Sequence, residues 1–254
     1  MAKSSGMGMN LYVDGYDLSS DAGSLSRIGG GPAPLVVTAI NKSAFERLGG
    51  LRDGAIDFMT FFDVAALAEH AALSPLTTSD RIATATVSTT LGDPAASIVC
   101  KQVDYAPTRA ADGSLTVTVP EPANGYGLEW GVLLTAGKRT DTGATAGTAV
   151  DSGLVGGSAF GLQAYLHVFS FSGTDATIKI QESSDNAGDA YADVVGGGFT
   201  TINAGNPAPF KQRIATATNL AVERYLKVTT TTATSFTSLV FAVQVVRNEA
   251  TPVF

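Results

Sequence analysis

The sequence predicts an all-β protein with one or two short helices, built as two related halves. Three observations carry this. Alternating runs rich in Val, Ile, Thr and Phe fill most of the chain, Gly, Asn and Asp clusters separate them, and several recur in the same order in each half. Of 254 residues only 15% are charged, against ~25% in an ordinary soluble domain. Thr, Ser, Ala and 28 glycines must therefore cover much of the surface. Burying Thr or Ala against a neighbour costs far less desolvation than burying Lys or Glu, so the composition suits a subunit that packs against other subunits.

Residues 1–34 are rich in Gly, Ser and Pro, end in IGGGPAPL and hold no sustained period. They read as an extended N-terminal arm with one short strand at LYVDGYDL. PLVVTAI (34–40) is a β-branched run and reads as a strand. NKSAFERL then reads as one or two helical turns, with Asn41 as N-cap and Gly49-Gly50 as the stop. GAIDFMTFFD (54–63) reads as a strand. DVAALAEHAAL (63–73) is the most convincing helix, capped by Asp63 and closed by Pro75. RIATATVST, SIVCKQVDYAP and SLTVTVPEP are three strands, with Asp112-Gly113 turning a hairpin between the last two. Residues 135–160 lose nearly all large apolar side chains and read as a linker or inter-ring loop. LQAYLHVFSFSG, DATIKIQES, ADVVGGGFTTI, RIATATNLA, RYLKVTTTT and TSLVFAVQVVRN give six more strands. The expected division is an arm (1–34), a first β-sandwich (35–134), the linker (135–160) and a second β-sandwich (161–254).

The hexapeptide RIATAT stands at 81–86 and again at 213–218. DGAIDFMTFFD matches DATIKIQESSD, SIVCKQVDY matches ERYLKVTTT through Lys101 and Lys227, and DGSLTVTV matches FTSLVFAV through Leu115 and Leu239. This ordered set argues for an internal duplication. The competing reading is one large sandwich with coincidentally similar strands.

Catalysis finds no foothold. There are two histidines, His70 and His167, and no HExxH, GxSxG, Walker or CxxC pattern. Gly29–Gly31 and Gly196–Gly198 lack the strand–turn–helix setting of a phosphate loop and read as turns or bulges. Asp185, Asn186 and Asp189 lack the ligand spacing of a calcium loop and read as a hairpin tip, so neither metal nor cofactor is expected. Glu129 and Trp130 could form a carbohydrate platform, although one Trp beside glycines more often anchors a domain edge. Cys100 is the single cysteine, which leaves no intrachain disulfide, and it reads as a small buried hydrophobe. No membrane span or signal peptide is legible, and synthesis in a cytoplasm is expected. A net charge of −7 argues against gripping a phosphate backbone.

The runs DYAPTRAADGSLTVTV, NGYGLEWGVLLTAGKRTDT, FGLQAYLHVFSFSGTDATIKIQESSDN and RYLKVTTTTA…TSLVFAVQVVRN together resemble the major tail (tail tube) proteins of long-tailed siphophages infecting actinobacteria. The resemblance covers most of 35–254. It implies tandem β-sandwich tail-tube-like domains that complete an intersubunit β-barrel, stacked in rings around a lumen through which the genome leaves. It also implies a virion location and partners: further copies of the chain, a tape-measure protein and transiting DNA in the lumen, and tail terminator and tail-tip proteins at the ends. Two sandwich copies per chain would build a pseudo-sixfold ring from three chains, with six chains per ring as the alternative. A capsid decoration or head–tail connector protein is the alternative function. Asp57, Asp104 and Glu182 are the candidates for lining an acidic lumen, being acidic residues in or beside predicted strands.

Overall fold

The computed structural model describes residues 5–153 and 157–252. The chain runs through β1 (Asn10–Val13), β2 (Tyr16–Asp17), β3 (Ala22–Val36), β4 (Arg47–Phe61) and the five-residue helix α1 (Glu69–Leu73). It continues through β5 (Arg81–Thr86), β6 (Pro94–Cys100), β7 (Ala106–Arg109), β8 (Leu115–Val119) and β9 (Glu129–Leu133). Three short strands follow, β10 (Arg139–Asp141), β11 (Thr145–Ala146) and β12 (Val150–Asp151). The rest comprises β13 (Leu162–Gly173), β14 (Asp175–Ser183), β15 (Ala192–Gly198), β16 (Ile202–Asn203), β17 (Phe210–Ala215), β18 (Tyr225–Thr231) and β19 (Phe236–Arg247). The all-β class expected from the alternating runs is what the chain adopts, and no closed barrel forms among the described residues.

One sheet organises the molecule. Its order is β17-β13-β19-β9-β6-β5-β1-β2, with β10 also on β19. Because side chains alternate along each strand, this sheet buries two different faces. On one face Ala83, Ala85, Ala96 and Ile98 meet Ile56, Phe58, Val117 and Val119 of the four-stranded sheet β3-β4-β8-β7. On the same face farther along, Leu162, Leu166, Val243 and Val245 meet Ile178, Ile180, Leu226 and Val228 of the six-stranded sheet β11-β18-β14-β15, which also carries β12 and β16. The opposite face is concave and largely polar. Ile82, Val99 and Tyr165 cluster there beside buried Thr84, Ser97, Glu129, Gln163 and His167.

The long sheet curls until its ends approach. Gly15 N–H donates to His167 Nδ1 at 3.2 Å, and His167 Nε2 lies 2.8 Å from Thr84 Oγ1. Since Nδ1 accepts, Nε2 carries the proton and donates to Thr84. A Cβ at Gly15 (φ 83°) would lie 2.6 Å from the Val168 carbonyl, so this approach requires glycine.

Several expectations need correction. The two RIATAT segments occupy different places: β5 lies inside the sheet between β1 and β6, whereas β17 is an edge strand on β13. Their matched neighbours also part company, because β6 pairs with β5 while β18 pairs with β14 in another sheet. Short Ala/Thr alternation fits many sheet positions, so similar strings do not specify equivalent strands. The supposed arm holds Leu11, Tyr12, Val13 and Leu18, all buried, so its first part is core. The 135–160 segment, expected as a linker or inter-ring loop, contributes β10 to β19, and β11 and β12 to β18. NKSAFERL forms the end of a hairpin, where Val37 N–H donates to the Glu46 carbonyl at 2.9 Å. The 63–73 helix shrinks to α1, since Leu67 takes a left-handed φ of 67° just before it.

Candidate assembly surface

The four-stranded sheet is open at both sides. Among the described residues β3 pairs only with β4, and β7 only with β8, so each presents an unpaired backbone edge. β4 meets β8 only over Phe58–Phe61, yet its pairing with β3 continues outward to Val36↔Arg47. The outer part is therefore a bare two-stranded ribbon. It leaves the body where Gly30 and Gly54 pair, since a Cβ on Gly54 would lie 2.8 Å from Leu128 N and one on Gly30 3.0 Å from Leu128 Cβ. Beyond this crossing, Arg47–Asp53 alone extends for about 20 Å at ~3.3 Å per residue.

Nearly every residue from 31 to 53 is exposed, and the apolar ones are large. Leu35, Val36, Val37, Ile40, Phe45, Leu48 and Leu51 all face solvent. An isolated two-stranded ribbon is marginally stable in water, and contiguous exposed apolar surface marks an interaction site. Pro32 and Pro34 remove two donors from the β3 edge, which blunts unspecific pairing near the ribbon's end.

The open face of this sheet mixes hydroxyls and one charge pair with Met59 and an exposed Phe61. Register places Arg27 opposite Asp57, Ser24 opposite Met59, and Thr116 and Thr118 opposite Thr108 and Ala106. Asp57 Oδ1 also accepts from Glu121 N–H at 3.2 Å. Asp104 is exposed just before β7 and accepts from Tyr105 N–H at 2.8 Å. Glu182 lies elsewhere, on β14 of the six-stranded sheet, half-buried and accepting from Glu223 N–H at 2.9 Å; burial pushes its carboxyl up. Of the three acidic candidates, two thus belong to the open sheet or its border and one does not.

Two buried charge clusters stiffen the body behind this surface. Arg81 is fully buried; its Nε lies 3.1 Å from Asp14 Oδ2 as an ion pair rather than an aligned hydrogen bond, and Nη2 donates to the Ala72 carbonyl at 2.8 Å. Arg81 also bonds Gln102, and Lys211 of β17 reaches the same Asp14 oxygen at 2.7 Å. Glu121 sits 3.9 Å from Arg81 Nε and 3.5 Å from Cys100 Sγ; burial raises its pKa to about 7 against the opposing pull of Arg81. In the concave face Arg213 donates to both Glu129 oxygens at 3.1 and 3.0 Å, and Tyr165 bonds the same carboxylate. Sequence reading missed these groups because spacing along the chain does not show that β1, β5 and β17 converge. Arg81 and Arg213, each heading a RIATAT string, were the available signal. Among the described residues no group of His, Cys, Asp and Glu is arranged to hold a metal.

No protein-family model matches the chain, and no curated protein matches it. Among solved structures it is similar to the Dit (gp 19.1) protein of phage SPP1, described as a hub adsorption apparatus protein of phages infecting Gram-positive hosts. The identity is 12%, the coverage 94% of this chain and 99% of that one, and the TM-score 0.33. It is also similar to a chain of the phage p2 baseplate in its activated conformation with Sr, at 9% identity, coverage of 95% of this chain and 99% of that one, and a TM-score of 0.34. Superposition this loose leaves the role to be decided by the chain's own residues.

Proposed function

We propose that this chain is a structural subunit of a phage tail, polymerising as stacked rings around a lumen that conducts the genome. The observation that supports this reading is the open-edged four-stranded sheet continued by a bare apolar ribbon. An exposed edge is satisfied when another chain pairs with it, and joining the β3 edge of one copy to the β7 edge of the next is a head-to-tail contact that closes into a ring. A ring of such sheets is an intersubunit barrel, which abolishes the edges. The apolar ribbon reaches past its own sheet and packs on the neighbouring ring.

One sheet per chain runs out into a bare apolar ribbon, which removes the reason for counting each chain twice, so the six wedges implied by the resemblance take six chains. Six chains carry a net charge of −42 (6 × −7), which opposes DNA binding over the particle as a whole. The sheet face assigned to the lumen is nearly neutral, with Asp57 offset by Arg27 among threonines, serines, Met59 and Phe61. Its lining is therefore close to neutral and not acidic, and DNA passes it for want of a net cationic surface.

The test is substitution at the ribbon. Ile40→Asp with Phe45→Asp should leave the melting temperature within about 2 °C of wild type, because both side chains are exposed, and should abolish elongation seen by light scattering and microscopy. Wild-type tubes from this variant contradict the proposal.

A further inference from the structure

Trp130 is 51% exposed on β9, at the middle of the long sheet. Beside it runs a groove of about 230 Å³ whose apolar wall is Trp130, Val132, Val150 and Leu226. Arg247 also lines it. That side chain is only 5% exposed, its Nε lies 3.0 Å from Glu249 Oε1, and its Nη1 donates to the Glu223 carbonyl at 3.0 Å. Its Nη2, buried, has no hydrogen-bond partner among the described residues. A buried donor left unmet costs roughly 1–3 kcal/mol, so an acceptor in the groove toward which the Arg247 side chain swings to bring Nη2 within reach gains more there than on open surface.

Charge narrows the class of ligand. Arg247 is neutralised by Glu249, and the neighbouring Asp151 already holds Arg224 through both oxygens at 2.7 and 2.8 Å. The groove has no net charge to offer an ion. It offers a flat indole face, one buried donor, and acceptors at the rim on Glu249 and Ser152. A pyranose ring meets all three: its polarised C–H face packs on the electron-rich indole, and its hydroxyls both accept and donate. The volume suits one sugar ring. We propose that the Trp130–Arg247 groove binds a neutral saccharide through a single pyranose unit. Sequence alone weighed Trp130 as a carbohydrate platform or a domain anchor, and its exposure beside an unpartnered guanidinium favours the platform.

Trp130 is the only tryptophan in the chain, so its emission reports on this groove. The wild-type protein is titrated with methyl α-D-glucopyranoside, methyl β-D-galactopyranoside and N-acetylglucosamine to about 100 mM, well beyond a Kd of ~1–10 mM. At least one should shift the emission saturably and show saturation-transfer NMR contacts. Trp130→Ala, at an exposed position, should keep the fold and lose the NMR transfer. Arg247→Lys, keeping the charge but losing the fork, should weaken binding about tenfold. The proposal is overturned by three sugars that give neither signal, or by undiminished transfer in Trp130→Ala. It is equally overturned if emission tracks protein concentration and not sugar, which would mean that a second copy covers the groove.

Discussion

His167 shows how one side chain ties the two ends of the long sheet. Its ring accepts from Gly15 of the β1–β2 turn and donates to Thr84 of β5, a geometry that only the neutral imidazole supports. Burial, aided by Lys211, pushes its pKa down to about 3. Between pH 3 and 6.5 the unfolded chain therefore binds more protons than the folded one, and stability rises with pH across that window. The His167 contribution is complete above pH 6.5 and is lost on acidification, at about 1.4 kcal/mol per pH unit at most. Glu121 has the opposite sign: with a folded pKa raised to about 7 from 4.5, it makes stability fall as pH rises through that interval. Urea titrations from pH 4 to 7 should show a shallower acid-side decline in His167→Gln than in wild type, and identical profiles would refute the assignment. Cys100 behaves as its sequence neighbours suggested, buried and with its thiol pushed up by burial. The ion cluster around Arg81 was not legible, because its members lie on strands whose adjacency is a tertiary fact.

Among elements, the strands of the second half were readable because their alternation is long and clean, as in LQAYLHVFSFSG and TSLVFAVQVVRN, which became β13 and β19. The Asp112-Gly113 turn also formed, but it joins β8 to β7 alone, because SIVCKQVDYAP, read as one strand, divides into β6 of the long sheet and β7. The ribbon was read only in part: Pro34–Val36 of PLVVTAI does lie in β3, but its β-branched composition does not say that Leu35, Val36, Val37 and Ile40 are left exposed. What positions the ribbon is the Gly30–Gly54 crossing over Leu128. Gly54→Val should lower stability by about 1–3 kcal/mol, because the added side chain meets Leu128 backbone. Gly143→Ala, where a Cβ meets nothing within 4 Å, should change it by less than about 0.5 kcal/mol. Equal melting of the two variants would show that the crossing does not need glycine.

At the scale of the molecule, the alternating β-rich pattern pointed correctly to an all-β chain, whereas the repeat pointed to a duplication that the strand pairing does not reproduce. One continuous sheet links the halves, and its two outer sheets differ: the six-stranded one covers a core from Leu134 to Val245, while the four-stranded one runs out into the exposed ribbon. That asymmetry is why assembly is assigned to a single surface per chain. The decisive measurement is electron microscopy of the purified full-length protein, with the rotational symmetry of end-on views determined. Tubes of stacked sixfold rings, with the four-stranded sheets facing the lumen, are expected. Isolated single rings, threefold particles or monomers at concentrations where the ribbon variant and the wild type look alike would contradict it.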